Sequence, residues 1–95
     1  MADLSPFWTD GRFGAVSLTF DDGIVTQLDN AIPCLDRHDL KGTFYLNPER
    51  GDRWYELLDR WKAVSRNGHE IGNHTSSHPC SCNFKFSEHN CLEKL

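Results

Sequence analysis

Ala15-Val16-Ser17-Leu18-Thr19-Phe20-Asp21-Asp22-Gly23 is the stretch around which the rest of the chain is read. Residues 15–20 are rich in β-branched and aromatic side chains, which predicts a strand, and their apolar character predicts burial on both faces. The run then ends in two adjacent carboxylates and a glycine. Neighbouring acids at a partly buried strand end repel each other and lose hydration, so either one is protonated or a cation lies beside them. A plain Asp-Gly turn is the simpler alternative, because both residues form turns readily. In parallel α/β architectures, however, the C-terminal ends of strands are where active sites are built.

A second stretch about fifty residues on weighs against the plain turn. Gly68-His69-Glu70-Ile71-Gly72-Asn73-His74-Thr75-Ser76-Ser77-His78-Pro79 carries histidines at 74 and 78. A single histidine is rarely a ligand, whereas a pair four apart is a candidate metal clamp.

Outward from these two stretches, the chain alternates. Residues 1–14 hold Pro6, Gly11 and Gly14 among Phe7, Trp8 and Phe13, an irregular lead-in whose rings are expected to cover one end of the fold. Leu28, Ile32 and Leu35 recur at helical spacing; a start near Asp29 or Asn30 puts Pro33 in the first turn, where it is tolerated. Thr43-Phe44-Tyr45-Leu46 predicts a second strand, followed by a loop at 47–51. Asp52 is positioned to cap a helix whose apolar stripe is Trp54, Leu57, Leu58, Trp61 and Val64, closed by a left-handed cap at Asn67-Gly68. Glu70–Asn73 is a third, short strand that delivers His74.

A β-α-β-α-β order forms a parallel sheet with right-handed crossovers, so Asp21, Asp22 and His74 share one rim. After a loop-like stretch from Pro79, residues 84–95 read as the start of an incomplete helix, with Ser87 as its N-cap and Leu92 and Leu95 on one face. Three strands with open edges leave apolar surface uncovered, which predicts that residues 1–95 are the N-terminal part of a larger domain, with self-association through the uncovered surface.

Composition sets outer bounds. The chain has 95 residues, 38% of them hydrophobic and 25% charged, with a net charge of -4. That is an ordinary globular composition with one small domain at most, and no basic patch is present to bind nucleic acid. No apolar run approaches the roughly 20 residues of a membrane-spanning helix, and Met1–Pro6 lacks the basic and apolar regions of a secretory signal, so a cytoplasmic location is expected unless a signal was removed. On that reading Cys34, Cys80, Cys82 and Cys91 are reduced thiols; an exported chain would allow two disulfides.

A catalytic zinc site takes three protein ligands and keeps a position for water. Asp22, His74 and His78 meet that count; the two imidazoles, four apart, match one face of a helical turn, with Pro79 favouring a single turn over a long helix, and Thr75 is placed to orient a ring nitrogen. Asp21 is left beside the ion as a general base toward the water it activates.

These residues resemble the polysaccharide deacetylases, the NodB-homology domain of carbohydrate esterase family 4. The likeness covers residues 15–79: Thr-Phe-Asp-Asp-Gly at 19–23, Gly-Thr-Phe at 42–44, and Gly-His-Glu-Ile-Gly-Asn leading into His-Thr-Ser-Ser-His at 74–78. The resemblance implies an α/β fold, a distorted (β/α) barrel of parallel strands and helices. It also implies a divalent metal, usually zinc, on Asp22, His74 and His78, Asp21 as base, and hydrolysis of an N-acetyl group on an amino-sugar or polysaccharide substrate. Family members carry a later arginine and a later histidine acting as general acid. Nothing after His78 matches either, so this stretch alone is expected to be inactive.

The same metal site serves hydrolysis of small amides or ureides, and a metal- or carbohydrate-binding fragment without turnover fits the residues as well. His38 is expected to be solvated, His69 structural, and Glu70 either a charge near the site or simply exposed. Cys80-x-Cys82, with His89 and Cys91, has poor spacing for a separate zinc site. Trp54 and Trp61 are core positions in this reading, with Tyr45 and Trp54 able to flank a groove.

Overall fold

The computed structural model describes residues 7–79. Its centre is a three-stranded parallel sheet in the order β1 (Thr19–Asp21), β2 (Thr43–Leu46), β3 (Glu70–Asn73). Register pairs Phe20 with Phe44 and Phe44 with Ile71, so these three side chains share a face, while Asp21, Tyr45 and Gly72 share the other. A helical segment at 25–37, ending in α1 (Ile32–Arg37), joins β1 to β2, and α2 (Trp54–Arg66) joins β2 to β3.

Both helices pack on the Phe44 face. Leu28, Ile32 and Leu35 from the first meet Leu57, Trp61 and Val64 from the second around Phe44 and Leu46. Phe44 is fully buried, stacked on Phe20 at 4.8 Å. Helices on one face with strands in sequential order are the winding of a (β/α) unit, and the α/β class with parallel strands and alternating helices is present. Among the described residues no helix is long and apolar enough to cross a membrane.

The strand expected at 15–20 is shorter and less buried. Only Thr19–Asp21 is strand, although Leu18 still accepts the Thr43 N–H at 2.9 Å. Val16 is 87% exposed, so burial on both faces fails. The reason is position: β1 is hydrogen-bonded on one edge to β2 and, among the described residues, has no strand on its other edge. The rings of the lead-in do not cover the fold either. Phe7 and Phe13 are exposed, with Phe7 packing edge-on against Trp8.

The first helix starts earlier than the proline suggested. Helical backbone begins at residue 25, so Pro33 lies inside the helix rather than in its first turn. A π-turn over Gln27–Ala31, with the Ile32 N–H reaching back to the Gln27 carbonyl, opens the helix just before the ring that lacks an N–H and would crowd the preceding turn. Asp52 does not cap α2: Arg53 occupies the cap without a side-chain bond. Instead Arg53 forks onto Glu56 at 2.8 and 3.1 Å, and the guanidinium holds that carboxyl below the usual carboxylate range. The C-terminal cap is as read: Gly68 has φ 97°, its N–H meets the Ser65 carbonyl, and the His69 N–H meets that of Val64. The incomplete helix expected at 84–95 lies outside the described residues.

Candidate metal centre

The rim is assembled by the sheet ladder continuing one residue past each outer strand. The Asp22 N–H donates to the Tyr45 carbonyl at 3.0 Å and the His74 N–H to the Leu46 carbonyl at 2.7 Å, so β2 fixes both residues side by side. Asp22 then turns the chain sharply, with φ 76°, and Gly23 follows at φ 60°. A Cβ on Gly23 would lie 2.9 Å from Leu46 Cδ2, so both conformation and space disfavour a side chain there. Aspartate tolerates the left-handed region better than most residues, which is one reason an acid can stand at 22.

Three ligand atoms converge. His74 Nε2 is 3.4 Å from Asp22 Oδ1, His78 Nε2 is 3.2 Å from the same oxygen, and the two imidazole nitrogens are 3.1 Å apart. Bonds of about 2.0–2.2 Å at the tetrahedral angle put ligand atoms about 3.3–3.5 Å apart, close to the sides of this triangle. One proton between the rings serves one side of the triangle; a single cation serves all three. The donor set therefore fits a divalent ion of the zinc type, with the rings about a third exposed and the carboxylate half exposed. Asp21 stands just outside, its Oδ2 4.0 Å from His74 Nε2.

The histidine pair is brought together without a helical turn. Residues 74–79 form a loop in which Thr75 (φ 65°) and His78 (φ 50°) are left-handed. The Thr75 N–H donates to Asn73 Oδ1 at 2.7 Å, and Thr75 Oγ1 accepts the His78 N–H at 3.0 Å. Thr75 thus folds the main chain instead of orienting a ring nitrogen. Sequence reasoning passed over two further residues. Asn47, read only as loop, donates from Nδ2 to the His74 and Thr75 carbonyls; the signal was an amide placed directly after a buried strand. Gln27 is buried and donates to the Asp21 carbonyl at 2.7 Å, steadying the acid pair from the first helix; no pattern in the chain marked it.

Other residues fall away from the rim. His69 is buried at the opposite end of the sheet and Glu70 accepts the Thr43 hydroxyl there, while His38 is exposed. Trp61 is core, Trp54 is half-buried, and Tyr45 covers Gly72, whose Cβ would lie 2.5 Å from the Tyr45 ring. A cavity of about 220 Å³ opens beside Asp22 between Trp54, Trp61 and Arg50. Cys80, Cys82, His89 and Cys91 lie outside the described residues.

The fold and rim define the class as a parallel α/β unit with one carboxylate and two imidazoles converging at the C-terminal ends of its strands, a candidate metal centre. The polysaccharide deacetylase family model matches residues 9–91, and the chain belongs to that family. It is 40% identical over 65 residues to a peptidoglycan-N-acetylglucosamine deacetylase of Bacillus cereus, covering 67% of this chain and 22% of that protein. It is 38% identical over 65 residues to a chitin deacetylase of Pestalotiopsis sp, covering 65% and 21%. It is 33% identical over 90 residues to a chitin disaccharide deacetylase of Vibrio alginolyticus, covering 86% and 18%. The chain thus spans about a fifth of the length of these relatives. No solved structure matches it.

Proposed function

We propose that this chain is the N-terminal part of a distorted (β/α) barrel that removes N-acetyl groups from amino sugars in a chitin- or peptidoglycan-like substrate. Asp22, His74 and His78 hold the divalent ion, zinc on the chemistry of the donors. The observation that carries this reading is the 3.1–3.4 Å triangle of their ligand atoms. The names of the relatives favour the sugar substrate over a small amide or ureide.

When bound, the ion polarises the acetamide carbonyl and makes water a stronger nucleophile near neutral pH. Asp21 accepts a proton from that water as it attacks, which its place beside the triangle allows. Gln27 and the β1–β2 ladder keep Asp21 and Asp22 from exchanging roles, because each main-chain position is separately tied. Hydrolysis then breaks the C–N bond, releasing acetate and the free amine. Turnover is proposed for the whole domain, with the general acid and a base-orienting arginine supplied from beyond the matched motifs, and not for these 95 residues alone.

The test separates ligand from base. Asp22→Ala and His78→Ala should lower the zinc content of the purified chain. Asp21→Asn should retain zinc and, in the whole domain, abolish acetate release from chitooligosaccharide or peptidoglycan. Equal zinc loss in all three variants overturns the division of roles.

A further inference from the structure

The ion site depends on two loops that meet only at the sheet rim, and one buried amide ties them. Asn47 directly follows β2 and is only 5% exposed. Its Nδ2 donates to the His74 carbonyl at 2.9 Å and to the Thr75 carbonyl at 2.7 Å, so both amide hydrogens go to consecutive carbonyls of the histidine loop. The Leu46 carbonyl holds the same segment through the His74 N–H at 2.7 Å. Leu46-Asn47 therefore grips His74-Thr75 at three points.

That grip acts where the backbone is strained. Thr75 is β-branched and sits at φ 65°, a conformation such residues leave unless the surroundings impose it. Rotation of Thr75 back to an ordinary conformation redirects the chain beyond it, breaks the His78 N–H to Thr75 Oγ1 bond, and carries the His78 ring away from its present 3.1 Å approach to His74. The Asn73 side chain closes the turn from within, and among the described residues Asn47 is the side chain that reaches the His74 and Thr75 carbonyls from outside the loop.

We propose that Asn47 is a positioning residue that sets metal affinity by holding Thr75 left-handed, so that His78 reaches the carboxylate and imidazole of the other two ligands. This rests on reading Asp22, His74 and His78 as the ion site. The Asn47 amide hydrogens go to main-chain carbonyls and not to the three ligand atoms.

The experiment uses the 95-residue chain with zinc alone as probe. Asn47→Asp is isosteric but replaces the donor with an acceptor facing two carbonyls; Asn47→Ser is the alternative should the first fail to fold. Val64→Ala, in the core, serves as a stability-matched control. Zinc affinity should fall about 10–100-fold in the Asn47 variants, the usual cost of removing groups that orient ligands, and stay unchanged in Val64→Ala. In the metal-free protein the His78 amide should exchange faster with solvent in the Asn47 variants, relative to core amides. Wild-type zinc affinity together with unchanged His78 exchange overturns the proposal. If the wild-type chain itself binds no zinc, the ion reading fails, and the exchange measurement still decides the role of Asn47: faster exchange supports the hold on the loop, unchanged exchange rejects it.

Discussion

Removing the His69 side chain should destabilise the fold by several kcal/mol without touching the Asp22–His74–His78 cluster. The ring is fully buried, its Nδ1 accepts the Gly42 N–H at 3.0 Å, and its Nε2 meets Asp36 Oδ1 at 2.8 Å. A backbone N–H can only donate, so Nδ1 is the acceptor, and Nε2 carries the hydrogen given to Asp36. One ring thereby joins the entries of β2 and β3 to α1. It also stands edge-on to Phe44, with centroids 5.6 Å apart.

His69→Ala leaves the Gly42 N–H without an acceptor, which costs about 1–3 kcal/mol, and loses an aromatic contact of about 0.5–1.5 kcal/mol. The sum of about 1.5–4.5 kcal/mol is a large part of the roughly 5–14 kcal/mol expected for a chain of this length. In urea, with a slope of about 1.5 kcal/mol/M, a loss of about 3 kcal/mol moves the midpoint down by about 2 M with the slope unchanged. His38→Ala, an exposed control, should stay within about 0.5 kcal/mol of the wild type. Equal urea midpoints for His69→Ala and His38→Ala, or weaker zinc binding by folded His69→Ala than by wild type, would refute this role for His69.

Gly23→Ala should lower the melting temperature and weaken zinc binding together, since φ 60° disfavours a side chain and the new Cβ meets Leu46 at 2.9 Å beside Asp22; a melting temperature at or above wild type contradicts this. The chain should also bind an apolar dye and self-associate on concentration, because Phe7, Phe13, Val16 and Ile24 are exposed. A dye-silent monomer by sedimentation contradicts that expectation.

The strands Thr43–Leu46 and Glu70–Asn73, the helix stripe from Trp54 to Val64, and the Asn67-Gly68 cap were legible because each carries its own local signal of periodicity or punctuation. Misreadings arose where a distant partner decides. The apolar run at 15–18 has strand character, but strands form only where another edge accepts them. Pro33 looks like a helix start until a π-turn makes room for it, and nothing in the local sequence encodes that turn. At the site, residue types and spacing pointed to Asp22, His74 and His78, whose ligand atoms do converge. The means of convergence was hidden: left-handed Thr75 and His78 replace a helical turn, and Asn47 and Gln27 act through carbonyls that any residue presents.

The central claim is that one divalent cation sits between Asp22, His74 and His78, and the zinc K-edge X-ray absorption spectrum of the loaded chain tests it most directly. The account predicts two imidazole nitrogens at about 2.0–2.1 Å and oxygen at about 2.0–2.2 Å, with the imidazole signature halved in His78→Ala. A sulfur shell at about 2.3 Å would place the metal on cysteines instead and contradict it.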